Sequence, residues 1–257
     1  MCTRVVITAA GPRGVQRWNN HLGRPKHFIQ IPLDGETLLH RTVRIVRELG
    51  IEDVVIAAPE DDPPGFSYET PGAALIRKPM PRRDENVYYR QADRYLPRDL
   101  WNTNGRTIFL PGDFYFAHET LRGIINYDPK TWVFYARVTI TEWPRKHPDA
   151  LKRTRMILGF GFPANEHGLV MESIEGLTAM QRDPNNPVGR SLGLDLYRYM
   201  CGQPVSLLSK TARKDGATWD DMPPHLWQPP ANSPDVDFDD PATYSEFMHH
   251  YRADLHN

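Results

Sequence analysis

A run of apolar and β-branched residues near the start of the chain, residues 5–10 (VVITAA), ends at a glycine and most constrains the fold. A run of this length that is rich in β-branched residues is typical of a central parallel strand covered on both faces. Apolar residues recur at helical spacing over residues 36–49, and Gly50 is the expected residue after that helix. Residues 53–59 (DVVIAAP) predict a second strand. Strand, loop, helix and strand in this order predict a βαβ unit.

The rest of the chain predicts further strands and helices around this unit. Three segments are interpreted as strands, at residues 73–78, 106–113 and 131–138, and the stretches MILGFGF and GLVMESI within residues 156–177 as a pair of strands outside the first unit. Helices are expected from residue 84, over 188–202 and from residue 241, with an ordered loop over 213–241. The sequence therefore predicts an α/β fold in which helices flank a central, mostly parallel sheet, with an added small β element.

Composition and charge exclude several classes of protein. The formal net charge of the 257 residues is −1, so nucleic-acid binding would need a local basic patch. The two cysteines lack CxxC spacing, which argues against a disulfide framework or a thiolate zinc site. There are not 18 consecutive apolar residues anywhere and no signal-peptide pattern, so we expect a cytoplasmic protein that does not enter a membrane.

The loop after the first strand contains Gly11 and Gly14 and leads to the dipeptide Pro25-Lys26. A glycine-containing loop at the carboxyl end of a parallel strand presents unpaired N–H groups, which suit an anion such as phosphate. The spacing is neither GxGxxG nor a Walker A loop, and a strand-to-helix turn with incidental glycines would give the same local pattern.

The segments AAGPRGVQRW and PKHF together resemble the signature of the nucleotide-diphospho-sugar transferase superfamily. This resemblance implies a GT-A-like, Rossmann-like fold in one domain over residues 1–257, with a nucleotide-binding half of about 1–130 and an acceptor-binding half of about 131–257. It also implies that Arg17 holds the β and γ phosphates and that Lys26 neutralises charge on the α phosphate, with Arg13 also available for the role of Arg17. The remaining nucleotide-binding residues implied by the signature are Ala9, Ala10, Gly11 and Gly14.

Carboxylates in two distant segments are candidate metal ligands. Asp113 follows the strand IFLPG, and the late segment DVDFDDPATY contains Asp237 and Asp239. The superfamily resemblance implies that Asp113 binds Mg²⁺ or Mn²⁺ together with Asp237, with Asp239 as the alternative, because such ions bind one or two carboxylates plus phosphate oxygens. A helix-capping aspartate or a solvated acidic turn would show the same pattern.

Basic and aromatic residues alternate in the middle of the chain. Basic residues with aromatics between them suit phosphate contacts and base stacking, although solvated helix faces have the same composition. The candidate nucleic-acid contacts are Arg82, Arg83, Arg90 and Arg94.

The segments RWNNHLGRPKHF, GRTIFLPGDFYF and DVDFDDPATY also resemble the phage DNA glycosyltransferases associated with TET-type dioxygenases. This second resemblance implies transfer of a sugar from an NDP-sugar to 5-hydroxymethylcytosine in DNA, in the cytoplasm of an infected host. Asp220 or Asp221 would then be the base that activates the acceptor hydroxyl.

Three functions remain open at this point. The first is a metal-dependent glycosyltransferase acting on hydroxymethylated DNA, which the middle of the chain favours. The second is a nucleotidyltransferase that joins an NTP to a phosphorylated small molecule and releases pyrophosphate, which the Pro25-Lys26 signature favours. The third is a nucleotide-sensing module without turnover, against which the acidic residues argue.

Overall fold

A computed structural model describes residues 2–9, 24–31, 35–78, 96–142, 151–182, 192–202, 225–230, 233–237, 244–245 and 247–248. The described strands are β1 Thr3–Thr8, β2 Asp53–Pro59, β3 Ala74–Lys78, β4 Arg106–Pro111, β5 Phe114–Tyr115, β6 Val133–Glu142, β7 Leu151–Pro163, β8 Leu226–Trp227 and β9 Val236–Asp237. The described α-helices are α1 Leu38–Glu48, α2 His118–Asn126, α3 His167–Arg182 and α4 Leu192–Met200. Short 3₁₀ turns occupy Lys26–Phe28, Arg98–Leu100 and Ala164–Glu166.

Seven of these strands form one sheet in the order β3-β2-β1-β4-β7-β6-β8, and β5 and β9 form a separate two-stranded sheet. Strands β1 and β2 are parallel, as are β2 and β3, and β6 and β8. Strand β7 runs antiparallel to both of its neighbours, β4 and β6. This mostly parallel sheet with flanking helices confirms the predicted fold class.

The predicted βαβ unit is present, with bounds close to those expected from the sequence. Strand β1 is buried at its centre, and Val6 pairs with Val55 of β2. Helix α1 begins after Thr37, whose hydroxyl accepts a hydrogen bond from the His40 N–H at 3.2 Å, and thereby satisfies one of the free donors of the first turn. Gly50 follows the helix with a φ of +87°, a conformation that glycine adopts without a steric penalty.

The described chain divides into two compact units. The first unit comprises Arg4–Met80, Leu110–Tyr127 and Pro230–Asn257, and the second comprises Met1–Thr3, Pro81–Phe109 and Asp128–Pro229. Each is therefore assembled from segments that are distant in sequence. The single domain with halves of about 1–130 and 131–257 stays a prediction.

The second unit has a core of aromatic side chains on β6 and β7. The rings of Phe134 and Phe160 stack with centroids 4.4 Å apart. Tyr135 crosses Gly161 and accepts a hydrogen bond from the buried Arg106 guanidinium. A Cβ added to Gly161 of β7 would lie 2.8 Å from the Tyr135 hydroxyl, so the Tyr135 side chain of β6 can lie over β7 only because position 161 is a glycine.

One predicted strand is wrong. The stretch MILGFGF lies in β7, but GLVMESI belongs to helix α3. Within α3 the buried apolar side chains are Val170, Ile174 and Leu177, at helical spacing along one face. A seven-residue window contains only the first two of these and cannot distinguish a strand from a buried helix. The small β element of this fold is the sheet of β5 and β9 instead.

The remaining secondary-structure predictions have varied outcomes. The strands expected at 73–78, 106–113 and 131–138 are β3, β4 and β6, and helix α4 lies within 188–202. Residues 79–95 lie outside the described residues, and so does most of the loop over 213–241 and of the last helix, of which residues 244–245 and 247–248 are helical. The described part of the expected loop contains the two-residue strands β8 and β9, which form by pairing with the distant strands β6 and β5. In the part of the chain that the structure describes, no helix combines the length and apolar character needed to cross a membrane.

Candidate functional site

The turn after β4 contacts the carboxyl end of β1. The Gly112 N–H donates a hydrogen bond to the Thr8 carbonyl at 2.9 Å, and the Thr8 hydroxyl donates to the Leu110 carbonyl at 3.3 Å. A Cβ added to Gly112 would lie 3.2 Å from the Thr8 carbonyl oxygen and 3.3 Å from the His27 ring. Glycine therefore allows the close approach that brings Asp113 to the end of β1.

Lys26 lies in a 3₁₀ turn that follows Pro25. The Pro25 carbonyl accepts the Phe28 N–H at 2.9 Å, and the fixed φ of proline suits this position before the turn. The Lys26 ammonium lies 3.3 Å from Asp113 Oδ2 and 5.9 Å from the centre of the Phe114 ring. The Lys26 side chain is 6% exposed and that of Asp113 is 27% exposed. A buried cation is thus paired with a carboxylate that is open to solvent on one side.

His27, the next residue, is buried against aromatic rings. Its ring centre lies 5.9 Å from that of Tyr68 and 6.4 Å from that of Phe28. Neither ring nitrogen has a hydrogen-bond partner among the residues described. Burial lowers the pKa of His27; the Asp113 carboxylate partly opposes this by raising it, and the Lys26 ammonium lowers it further. His27 is therefore a neutral group beneath the Lys26 and Asp113 pair.

The two-stranded sheet brings the late acidic segment beside Asp113. In its antiparallel register, Phe114 is opposite Asp237 and Tyr115 is opposite Val236. The backbone of Asp237 is thus opposite the residue that follows Asp113. The segment that contains Asp113 and the late acidic segment that contains Asp237 are therefore neighbours in the fold.

Asp235 fixes the late segment to the first turn of helix α2. Its Oδ1 accepts a hydrogen bond from the Ala117 N–H at 2.6 Å, and its Oδ2 accepts hydrogen bonds from the hydroxyls of Thr120 at 2.7 Å and Ser233 at 2.6 Å. Asp235 is only 2% exposed. An aspartate from a distant segment thereby caps the helix in place of a local residue.

Two further contacts support strand β5 from the side of helix α1. The Arg41 guanidinium donates a hydrogen bond to the Phe116 carbonyl and lies 4.4 Å from the centre of the Tyr115 ring. Tyr115 also packs against Phe247, with ring centres 4.7 Å apart and ring planes tilted by 53°, in a buried cluster that includes Ile29 and Ile31. The segment after Lys26, strand β5 and the residues near the end of the chain thus share one core.

Most of the other predicted site residues lie outside the described residues. Ala9 is buried at the end of β1, and its N–H donates a hydrogen bond to the Ala57 carbonyl at 2.9 Å. The side chain of Asp237 lies outside the description, although its backbone is included. The predicted residues outside the described ranges are Ala10, Gly11, Arg13, Gly14, Arg17, Arg82, Arg83, Arg90, Arg94, Asp220, Asp221 and Asp239.

Asp113 is the candidate ligand for a divalent cation among the described residues. Within these residues, three or more acidic, histidine or cysteine side chains do not gather into a metal-binding group. Asp113 nevertheless fits, since it offers a partly exposed carboxylate oxygen, and Mg²⁺ needs only one or two protein carboxylates when phosphates supply other ligands. His27 does not fit, because its ring nitrogens are enclosed by aromatic side chains.

Sequence reasoning missed the roles of Asp235 and His27. The only sequence signal for Asp235 is its position in the same acidic segment, two residues before Asp237. Its three partners come from residues 117–120 and 233, and a contact over that separation leaves no local pattern. His27 follows the lysine of the signature, but its burial depends on Tyr68 in a separate loop.

No protein-family model matches the chain, and no curated protein matches it. Solved structures do match over nearly its whole length. The structure of CTP:phosphocholine cytidylyltransferase from Streptococcus pneumoniae is similar with a TM-score of 0.51 and 14% identity, covering 98% of this chain and 100% of that chain.

Two structures from Acinetobacter baumannii are also similar. UDP-glucose pyrophosphorylase matches with a TM-score of 0.55 and 11% identity, covering 98% of this chain and 93% of that chain. A UTP-bound UGPase matches with a TM-score of 0.50 and 12% identity over the same shares of the two chains. At these identities the likeness shows the fold, which is the α/β fold of these enzymes.

Proposed function

We propose that this protein is a nucleotidyltransferase that joins the nucleotidyl group of an NTP to a phosphorylated small molecule and releases pyrophosphate. The observation that carries the proposal is the ion pair of Lys26 and Asp113, 3.3 Å apart, in the turns beside the carboxyl end of β1. In open α/β sheets, nucleotides bind outside the carboxyl ends of the strands. A cation and a carboxylate at that position suit a triphosphate and its divalent counter-ion.

The comparisons support nucleotidyl transfer over glycosyl transfer. The similar structures are of a cytidylyltransferase that uses CTP and of a UDP-glucose pyrophosphorylase, which has also been solved with UTP. This agrees with the second function expected from the sequence. The function placed first, a glycosyltransferase acting on 5-hydroxymethylcytosine, has no support from these structures, and its candidate DNA contacts and base lie outside the described residues.

The proposed reaction is an in-line displacement at the α phosphorus. A phosphate oxygen of the acceptor forms a bond to the α phosphorus, the bond from that phosphorus to the bridging oxygen of the β phosphate breaks, and pyrophosphate leaves with the bonding electron pair. Negative charge increases on the α-phosphate oxygens during this step. The Lys26 ammonium, held in a nearly dry position, would stabilise that charge without first losing a hydration shell.

Asp113, with Asp237 or Asp239, would hold Mg²⁺ or Mn²⁺, which supplies charge neutralisation on the triphosphate when it is bound. In the free protein, the Asp113 carboxylate pairs with Lys26. Binding of the nucleotide would replace this pair with two others, in which Lys26 faces phosphate and Asp113 faces the cation. The glycines and arginines of residues 11–17 would orient the triphosphate, as the superfamily signature implies.

The experiment is a pyrophosphate-release assay on the purified protein with Mg²⁺ or Mn²⁺. It combines CTP, UTP, GTP, ATP or dTTP with sugar 1-phosphates or phosphocholine, and identifies the nucleotide product by mass spectrometry. We expect pyrophosphate and an NDP-linked product from at least one pairing, and a fall of roughly 100-fold or more in Asp113→Asn. Asp128→Asn is the matched control, because Asp128 is an exposed aspartate whose side chain is 60% accessible.

A parallel reaction contains NDP-sugars and hydroxymethylated DNA. Sugar transfer to that DNA without pyrophosphate release would overturn nucleotidyl transfer in favour of the glycosyltransferase. Equal turnover in Asp113→Asn and Asp128→Asn would remove Asp113 from the proposed metal site.

A further inference from the structure

The sheet of β5 and β9 is too short to fix, by itself, the register between the segment after Asp113 and the late acidic segment. It consists of two residue pairs, Phe114 with Asp237 and Tyr115 with Val236. A two-stranded ladder of this length is at best marginally stable in water. A slip by one residue would place Val236 or Phe238 opposite Phe114 and would turn every side chain of the late segment to the other face. Something besides the ladder must therefore fix the register.

The Asp235 carboxylate is placed to do so. It lies next to Val236, and it accepts the N–H of Ala117, which lies two residues beyond the end of β5. Its second oxygen accepts the hydroxyls of Thr120 and Ser233. One buried side chain thus connects the residue before β9, the segment after β5 and the first turn of helix α2.

The chemistry of these contacts makes them specific to one register. Hydrogen bonds to an ionised carboxylate are short and about twice as strong as neutral ones, and here the distances are 2.6 to 2.7 Å. Ser233 belongs to the same segment as β9, so the contacts that depend on the register are those with Ala117 and Thr120. A slip of β9 would carry Asp235 away from these two donors and leave them buried without a carboxylate acceptor, which is costly.

We infer that Asp235 is a positioning residue that sets the register of β9 and thereby places the Asp237 segment beside Asp113. It contacts neither nucleotide nor cation in this role, and it acts through the backbone of β9. The inference rests on the proposed function, because that function makes the acidic pair a cation site. Substitution of the residues that orient a metal ligand typically weakens metal affinity about 10- to 100-fold.

The test measures cation binding and backbone protection without relying on turnover. Mn²⁺ binding to the free protein is followed by electron paramagnetic resonance, and hydrogen exchange is measured on peptides that contain residues 114–117 and 233–237. In Asp235→Ala we expect Mn²⁺ affinity to fall about 10-fold or more and exchange in both peptides to rise. Asp235→Asn keeps one carbonyl oxygen for the Ala117 N–H, and we expect an intermediate affinity.

Asn102→Ala is the control for a general loss of stability. Asn102 is also buried, and its side chain bonds the Cys2 carbonyl at 3.0 Å in the second unit. We expect it to lower the melting temperature while leaving Mn²⁺ affinity and exchange over 233–237 unchanged. If Asp235→Ala and Asn102→Ala weaken Mn²⁺ binding equally, or if neither does, the positioning role is wrong.

Asp113→Asn separates this inference from the proposed function. If Asp113→Asn leaves Mn²⁺ binding intact, the proposed cation site is wrong, whatever Asp235 does. If Asp113→Asn abolishes Mn²⁺ binding while Asp235→Ala retains full affinity and normal exchange, the cation site stands and the role of Asp235 is wrong.

Discussion

The Lys26 ammonium lies 3.3 Å from a carboxylate oxygen of Asp113, and the lysine is the more buried partner, at 6% against 27% exposure. Lys26 lies in the connection between β1 and α1 and Asp113 follows β4, and the two residues meet beside the end of β1. This asymmetry affects both stability and binding. Removal of the Asp113 carboxylate leaves a buried ammonium, whereas removal of the Lys26 ammonium leaves a partly exposed carboxylate.

Removal of the carboxylate should destabilise the protein more than removal of the ammonium. Asp113→Asn leaves a buried Lys26 charge without this ion pair, and we expect a cost of about 1 to 3 kcal/mol. Lys26→Met removes the buried charge and keeps the aliphatic stem, so its cost should be smaller. Urea unfolding of both variants, followed by circular dichroism, measures the order. The reverse order would mean that Lys26 does not depend on Asp113.

Lys26 should also oppose binding of a cation in the absence of nucleotide, since it occupies one side of Asp113. We expect Lys26→Met to bind Mn²⁺ more tightly than the unaltered protein when no NTP is present, and to lose roughly 100-fold or more in kcat/KM for the NTP. Isothermal titration with Mn²⁺ alone and steady-state kinetics provide the two readouts. A parallel loss of both would contradict the ion-pair exchange.

Gly112 should be intolerant of a side chain. In Gly112→Ala the new methyl would lie 3.2 Å from both Ile7 Cγ2 and the Thr8 carbonyl, so the turn that holds Asp113 must shift, at a cost of about 1 to 3 kcal/mol. Gly168→Ala in helix α3 is the matched control, because nothing lies within 4 Å of its added Cβ. That change should be neutral or stabilising, since alanine favours a helix. Thermal unfolding and pyrophosphate release compare the pair.

Stability should decrease as the pH falls below the ordinary pKa of histidine. Burial lowers the pKa of His27 in the folded state, so the unfolded chain binds a proton near pH 6.5 while the folded chain does not. Its contribution is fully present above pH 6.5 and is lost as the pH falls toward the lowered folded value, by at most about 1.4 kcal/mol per pH unit. The pKa of His167 is lowered in the same direction, by burial and by Arg98.

His27→Leu isolates this contribution. We expect the fall in unfolding free energy between pH 8 and pH 5.5 to be smaller in this variant, with the part due to His167 remaining. Urea unfolding at several pH values measures the difference. An unchanged pH dependence would show that His27 accepts a proton equally well in the folded and unfolded chains.

Two arginines on helix α1 should differ greatly in their contribution to stability. Arg41 is buried, bonds the Phe116 carbonyl and stacks on Tyr115, and we expect Arg41→Met to cost about 2 to 4 kcal/mol. Arg44 pairs with Glu36 and Glu48, but its side chain is 42% exposed, so Arg44→Met should cost less than about 1 kcal/mol. Chemical denaturation of both variants tests the difference, and equal costs would contradict it.

The elements that could be predicted from the sequence are those with local patterns. The β-branched run of β1, the helical spacing of α1 and the glycine after it each carry their own signal. The meeting of Lys26 and Asp113 could also be predicted, because residues after parallel strands share one edge of the sheet.

The elements that could not be predicted depend on partners distant in sequence. Asp235 has the same local pattern as Asp237, and only its burial against Ala117 and Thr120 distinguishes a register-setting carboxylate from a candidate ligand. The start of helix α3 has the pattern of a strand because its apolar run is short, and its third buried apolar residue, Leu177, lies beyond that run.

Strand β9 pairs residues 236–237 with residues 114–115, and this contact spans almost half of the sequence. A nascent chain on the ribosome can therefore form β1, α1, β2 and β3 long before it can assemble the acidic side of the site. Until Asp237 has emerged, Lys26 and Asp113 are without the segment that we propose completes the cation site. Assembly of the proposed cation site therefore has to wait until residue 237 has been synthesised.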